Sequence, residues 1–203
     1  AVNKSIKSGR VWEKKLINIY KEFINKDSVV LDIGANLGCH SVPLSLLCKE
    51  VIAFEAQKKL YDLLKQTIEY NELDNVKLFN NIVSDGSKEE LEFVNSGCGR
   101  GGITTYRPRL GGIITTEKCI TIDSLNLVKC DFIKIDVEGS EFQVLAGAAE
   151  TIKKYMPIII LETWNTKRNK INLVKYCNEY GYSFTYIKGD NFLLKPDNSG
   201  TLL

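Results

Sequence analysis

The sequence predicts an α/β fold. A mostly parallel sheet carries helices on both faces, and the chain ends in an antiparallel hairpin. Three observations carry this. Short, nearly continuous apolar runs alternate with segments of helical periodicity, the pattern of strands buried on both faces. The first apolar run breaks into a glycine turn, VVLDIGANLGCH, over residues 29–40. The last two runs, YSFTYI and NFLLK, are separated only by Lys188-Gly189-Asp190. That is too short for a parallel crossover, so it closes a hairpin.

The elements follow in order. Residues 1–28 are polar and basic and form a helical arm, with helical spacing over 11–24 on Trp12, Leu16, Ile19 and Phe23. Residues 29–203 form the main domain. Strands are expected at 29–33, 51–55, 76–80, 132–136 and 157–161, then 182–187 and 191–195 in the hairpin. Helices are expected at 39–48, at 58–70 (Leu60, Leu64 and Ile68 on one face), at 140–155 and at 170–180. Ser140 and Gln143 suggest a capping box for the third of these, and Gly181 stops the last. Residues 84–121 show no strong helix and hold SGCGRGGITTYRPRLGG, so they read as a long irregular insertion of the kind that serves a binding site.

Composition narrows the function classes. A net charge of +2 gives no reason to expect nucleic acid. The six cysteines include no C-x-x-C pair, and with one histidine a zinc site is not expected. They read as reduced thiols packed as small core residues, which implies a reducing, cytoplasmic setting. No apolar run is long enough to span a bilayer. The chain starts at Ala1 rather than Met, so a processed or excised domain with sister domains in a larger protein is expected.

Two regions carry candidate chemistry. In open α/β sheets, ligands bind beyond the carboxyl ends of the strands. Asp32, Gly34, Asn36 and Gly38 stand at the end of the first strand in a Gly-x-x-x-Gly turn, not the GxGxxG of dinucleotide sites. Alone, this turn is either a ligand cradle or a plain strand-to-helix connection. Glu55 ends the second strand, where an acid accepts hydrogen bonds from both ribose hydroxyls of a nucleoside. The second region is DFIKIDVEGSE. Asp136 ends an apolar strand and Glu138 follows. Glu162 repeats the theme at the end of the next apolar strand. Asp136 and Glu162 share a divalent cation (Mg or Mn), orient a substrate hydroxyl, or pair with Lys134 or Arg168.

These stretches, VVLDIGANLGCHSV, VIAFEA, TIDSL and IKIDVEGSEFQVLAGA with a later LET, resemble the FkbM-like family of class I methyltransferases, over roughly residues 29–165. The resemblance implies a Rossmann-like sheet of seven strands, one antiparallel, and S-adenosylmethionine (SAM) as cofactor. It places Gly34, Asn36 and Gly38 along the methionine part and Glu55 on the ribose. It sets Ser84, with Asn81 second, beside adenine, and Asp136 near the amino group and the transferred methyl. His40, the only histidine, is expected to contact the SAM carboxylate, or else to act as a base. The acceptors it implies are sugar hydroxyls in glycans or glycoconjugates. Arg100, Tyr106, Arg107 and Arg109 of the insertion then either contact the sugar or simply solubilise the loop.

The expected chemistry is in-line displacement, with Asp136 and Glu162 positioning and deprotonating the acceptor hydroxyl and Glu138 supporting them. Three rivals stand against it. An NAD-dependent oxidoreductase would share Glu55 but predicts GxGxxG and an all-parallel sheet. A nucleic-acid methyltransferase predicts a broad basic face, and small-molecule acceptors other than sugars are also open. A non-enzymatic binding module would not need Asp32, Glu55 and Asp136 together.

Overall fold

The computed structural model describes residues 13–95, 101–103, 112–164 and 166–197. Its strands are β1 (Val29–Ile33), β2 (Glu50–Phe54), β3 (Val76–Phe79), β4 (Ile82–Val83), β5 (Glu90–Asn95), β6 (Gly101–Ile103), β7 (Ile113–Ile120), β8 (Phe132–Ile135), β9 (Ile158–Glu162), β10 (Tyr182–Lys188) and β11 (Asn191–Pro196). Its helices are α1 (Lys14–Phe23), α2 (Ser41–Ser45), α3 (Lys58–Tyr70), α4 (Glu141–Ala146), α5 (Ala149–Tyr155) and α6 (Lys167–Tyr180).

Seven strands form the main sheet in the order β10-β11-β9-β8-β1-β2-β3. Within it β3, β2, β1, β8 and β9 are parallel in sequence, and β11 runs antiparallel to both β9 and β10. The antiparallel strand thus lies inside the sheet, with β10 at the edge. Adjacent residues of β1 serve opposite faces, and both faces are covered. Leu31, Ile33, Ile133 and Ile159 pack in one core with Leu145, Ile152 and Leu173 from α4, α5 and α6. Val30, Phe132 and Ile160 pack in a second with Leu16 and Tyr20 of α1 and with Leu64 and Ile68 of α3. Helix α1 is therefore built into the domain rather than standing apart as an arm. Trp12 lies outside the described residues.

Three expected elements differ. The helix expected at 39–48 shortens to five residues, since Pro43 offers no amide and Ser45 turns its hydroxyl back to the Val42 carbonyl. The helix expected at 140–155 is two. Gly147 divides them, and a side chain there would lie 1.9 Å from the Ser84 carbonyl oxygen. The capping box does not form. Instead the Glu141 carboxylate accepts the Gly139 amide at 2.6 Å. The described residues of 84–121 are not irregular either, because β5 and β7 pair antiparallel in a second sheet of order β4-β7-β5-β6. Strand β7 is mostly solvent-exposed, so it lacks the apolar alternation that would reveal it.

The TIDSL motif has a structural use. Asp123 reaches 28 positions along the chain to α5 and accepts the Thr151 amide (2.8 Å), the Thr151 hydroxyl (2.7 Å) and the Glu150 amide (3.0 Å). It supplies the N-cap that Ala148 cannot. Asp123→Ala should lower stability by about 1–2 kcal/mol in urea denaturation, and an unchanged midpoint would remove this capping role.

Candidate active site

The carboxyl ends of β1, β2 and β8, with the segment after β3, open onto a partly enclosed cleft. Its shape starts from Gly34. The residue has φ +86°, and an added Cβ would lie 1.8 Å from the Asp136 carbonyl oxygen. The close approach that requires glycine here is made by the chain's own backbone. Gly34 and Ala35 both donate to the Phe54 carbonyl at 2.9 Å. This seats the turn between β2 and β8 and brings Asn36, itself at φ +52°, to the cleft.

Glu55 is the focus of the cleft. It is 7% exposed, and its two oxygens accept the Asn36 amide at 2.9 Å and the Gln57 amide at 2.8 Å. Asn80 fixes the segment from behind by donating to the Glu55 and Ala56 carbonyls. Burial pushes the Glu55 carboxyl up to about 7, against the pull of those two amides. Each carboxylate oxygen keeps a second lone pair, so the pair of them can accept two more donors.

Asn81, Ile82 and Val83 flank the cleft on one side, with Phe93 from the second sheet, while Asp136 and Glu138 border it on the other. Glu138 sits at φ +57°. Ser84, expected to outrank Asn81, is not among the lining residues. It is buried, its amide bonds to the Ile120 carbonyl, and its own carbonyl faces Gly147. Gly38, at φ +86°, is pressed against Leu64 of α3 rather than against the cleft. Arg100, Tyr106, Arg107 and Arg109 lie outside the described residues.

His40 is committed to α1. Its Nδ1 is 2.9 Å from the Tyr20 hydroxyl and its Nε2 is 3.0 Å from the Glu13 carboxylate. Both ring nitrogens thus already have partners in the fold, and His40 does not line the cleft.

Beneath Asp136 lies a polar layer on the α1 side of the sheet. Asp32 and Lys134 are register partners on β1 and β8. Two residues further along β8 and β9 come Asp136 and Glu162, and Asn191 of β11 stands opposite Glu162. Lys134 is 1% exposed, and its ammonium is 3.4 Å from Asp136 Oδ2. Burial pulls the ammonium down, but Asp136, Asp32, Glu162 and Glu13 outweigh it and hold it above the ordinary lysine range. Burial and then Asp136 push Glu162 up to about 8, against the opposing pull of Lys134. Asp32 accepts the Ser41 hydroxyl at 2.6 Å on one oxygen. The other Asp32 oxygen and Asn191 Oδ1 are buried without a hydrogen-bond partner in the fold.

This layer gives the expected divalent cation no support. Among the described residues no group of three His, Cys, Asp or Glu side chains is placed to hold a metal. The positive charge amid the strand-end acids is Lys134. Arg168, the other cation considered, is exposed on α6. Lys134, Asn191, Glu13 and Tyr20 were not singled out as site residues from the sequence. For Lys134 a signal existed, because a lysine inside the buried run FIKI needs a buried counter-charge. The five cysteines among the described residues are free thiols, and Cys48, Cys130 and Cys177 are buried as expected. No described helix is long and apolar enough to cross a membrane.

The family model for the Methyltransferase FkbM domain matches residues 32–184. The chain belongs to the FkbM methyltransferase family. It is 27% identical over 152 residues to the hexuronic acid methyltransferase AglP of Haloferax volcanii, covering 73% of this chain and 61% of that protein. It is 22% identical over 193 residues to the methyltransferase sdnD of Sordaria araneosa, covering 77% and 74%. The crystal structure of the methyltransferase FkbM from Methylobacillus flagellatus shares the fold with a TM-score of 0.62 at 15% identity, over 83% of this chain and 43% of that one. SMU.1697c from Streptococcus mutans, in complex with S-adenosylhomocysteine (SAH), shares it at 0.57 and 13% identity, over 89% and 94%. This FkbM chain therefore spans under two thirds of the length of the haloarchaeal relative and under half of the Methylobacillus one. The sheet order, with β11 set antiparallel between β9 and β10, agrees with the class I methyltransferase fold expected from the sequence.

Proposed function

We propose that this chain is a SAM-dependent O-methyltransferase that modifies a sugar hydroxyl, in a glycan or glycoconjugate. The observation that carries the cofactor is Glu55. A carboxylate buried at the end of β2, held by two backbone amides and with capacity for two more donors, suits the two ribose hydroxyls of a nucleoside. Asn36 and Gly34 would border the methionine part. Asn81–Val83 and Phe93 would flank the adenine, in place of the Ser84 side chain. The SAH held by the Streptococcus mutans neighbour supports this choice of nucleoside, and the hexuronic acid acted on by AglP supports a sugar acceptor.

SAM, when bound, supplies a methyl group already activated on a sulfonium. The residues of the chain then have two tasks, to position the acceptor hydroxyl and to take its proton. Asp136 borders the cleft and is steadied by Lys134, so it is the group assigned to receive the proton. Glu162, whose carboxyl is pushed up by burial and by Asp136, is assigned to orient the hydroxyl beside Asp136. Glu138 supports the same edge of the cleft. Arg100, Tyr106, Arg107 and Arg109 remain proposed acceptor contacts.

The test has two arms. Calorimetry should show SAH binding and no NAD binding, and the reverse result would sink the cofactor assignment. Incubation with SAM and a panel of hexuronic acid, hexose and lipid-linked glycans should add the mass of one methyl group to a sugar. SAH binding with methyl transfer only to non-sugar acceptors would sink the acceptor class alone.

A further inference from the structure

The outer face of α6 and the neighbouring edge strand have properties that the cleft chemistry does not use. Eleven large apolar side chains stand exposed among the described residues, and five of them fall within residues 164–186: Trp164, Ile171, Val174, Phe184 and Tyr186. Each is more than a third exposed. On α6 the inward stripe is Leu173, Tyr176 and Cys177, which pack in the core. The outward stripe sets Ile171 and Val174 beside Lys167, Lys170 and Lys175 on one shallow, open surface. Phe184 and Tyr186 contact Phe192 edge-on, at 6.2 and 5.7 Å between ring centres. Phe192 shares the core of Leu173 and Tyr176, so both aromatics lie on the α6 face of the sheet. Trp164 lies two residues beyond the end of β9.

The charge on this surface is one-sided. Residues 164–188 hold five Lys or Arg and a single acid, Glu179, while the whole chain is only +2. We propose that α6 and β10 form a docking surface for an anionic lipid bilayer, with the lysines on the headgroups and the aliphatic and aromatic side chains in the interfacial layer.

The mixture of residue types selects this partner. Cations interleaved with exposed aliphatic and aromatic groups on one face fit a headgroup layer over acyl chains. A phosphate backbone would engage the lysines but leave Ile171 and Val174 without an apolar partner. A second copy of the chain would set lysines against lysines. Each Lys or Arg near an anionic surface contributes about 1 kcal/mol. Three or four of them, with a few apolar side chains, give reversible binding rather than permanent insertion.

Vesicle co-sedimentation tests this without any acceptor. The chain should partition onto phosphatidylcholine vesicles containing phosphatidylglycerol and not onto phosphatidylcholine alone. Lys167→Glu/Lys170→Glu/Lys175→Glu should weaken partitioning by about 100-fold or more. Ile171→Ser/Val174→Ser, with every lysine kept, should weaken it by about tenfold. All five positions are exposed, so thermal melts of both variants should match the parent, and a lost melt would send the test to the single substitutions. Absence of partitioning, equal partitioning on neutral vesicles, or full partitioning of the triple variant would overturn the proposal. So would unchanged partitioning of the serine variant, which would mark a plain polycationic face. Tight binding to single-stranded RNA without vesicle binding would assign the surface to nucleic acid instead.

Discussion

Glu55→Ala should abolish measurable SAH binding, a loss of about 100-fold or more, while leaving the chain folded. Two charge-assisted hydrogen bonds at about 1.5–3 kcal/mol each set that scale. Glu55→Gln should lose nearly as much, since its amide group must face either the Asn36 or the Gln57 amide and so sets donor against donor. Isothermal calorimetry measures both. Retention of affinity within a few-fold in Glu55→Gln would show that the ionised carboxylate is not the ribose acceptor.

The same residue gives a pH dependence with a definite sign. Burial holds the folded Glu55 near 7, above its ordinary 4.5. A raised carboxyl favours the folded apo chain below the unfolded value and withdraws that stability as pH rises through the folded one. The amount for this residue is on the order of 3 kcal/mol between about pH 4.5 and 7. Ribose hydroxyls need the ionised form, so SAH affinity should rise as pH climbs through about 7. Calorimetry near pH 7 in buffers of different ionisation enthalpy should then show proton release on binding, and a heat independent of buffer would refute the linkage.

The fold and the meeting of the strand-end residues in one cleft were legible because both depend on local pattern. Val29–Ile33 and Ile158–Glu162 are largely buried and read as nearly continuous apolar runs. Gly34, Asn36 and Glu55 each end or follow such a run, so their meeting in one cleft follows from parallel pairing alone. The errors share a different physical origin. Strand β7 is paired but exposed, so its backbone bonding leaves no hydrophobic trace. Gly147 looks like a tolerable helix interior until the Ser84 carbonyl from another element is seen against it. His40 sits beside the glycine turn in sequence, but its ring is claimed by Tyr20 and Glu13, 20 and 27 positions away. Asn191 joins Glu162 only because β11 inserts antiparallel beside β9. A sequence read strand by strand cannot show which residues a distant element has already engaged.

Lys134→Met should be the most destabilising single change on the α1 side of the sheet. Methionine fills a similar volume, so packing is little altered, and what disappears is the charge. The ammonium is 1% exposed and balances Asp136, Asp32 and Glu162, one oxygen of Asp32 having no other partner. Removing one side of a buried ion pair costs about 3–5 kcal/mol, because the remaining charge is left in a poor solvent. A marginally stable domain would lose a third or more of its total. The deficit should depend on pH. Glu162 is already held near 8 with Lys134 present, and without it the neighbouring carboxyls gain a stronger preference for the protonated form. The variant should therefore recover part of its lost stability as pH is lowered from about 8 to 5, and recover more than the parent gains over the same range. Urea denaturation at both ends of that range measures this. A pH-independent deficit would mean that Lys134 acts through packing of its stem rather than through its charge. The double variant Lys134→Met/Asp32→Asn separates the two cases, since it should be more stable than Lys134→Met alone only if an uncompensated carboxylate is the cause.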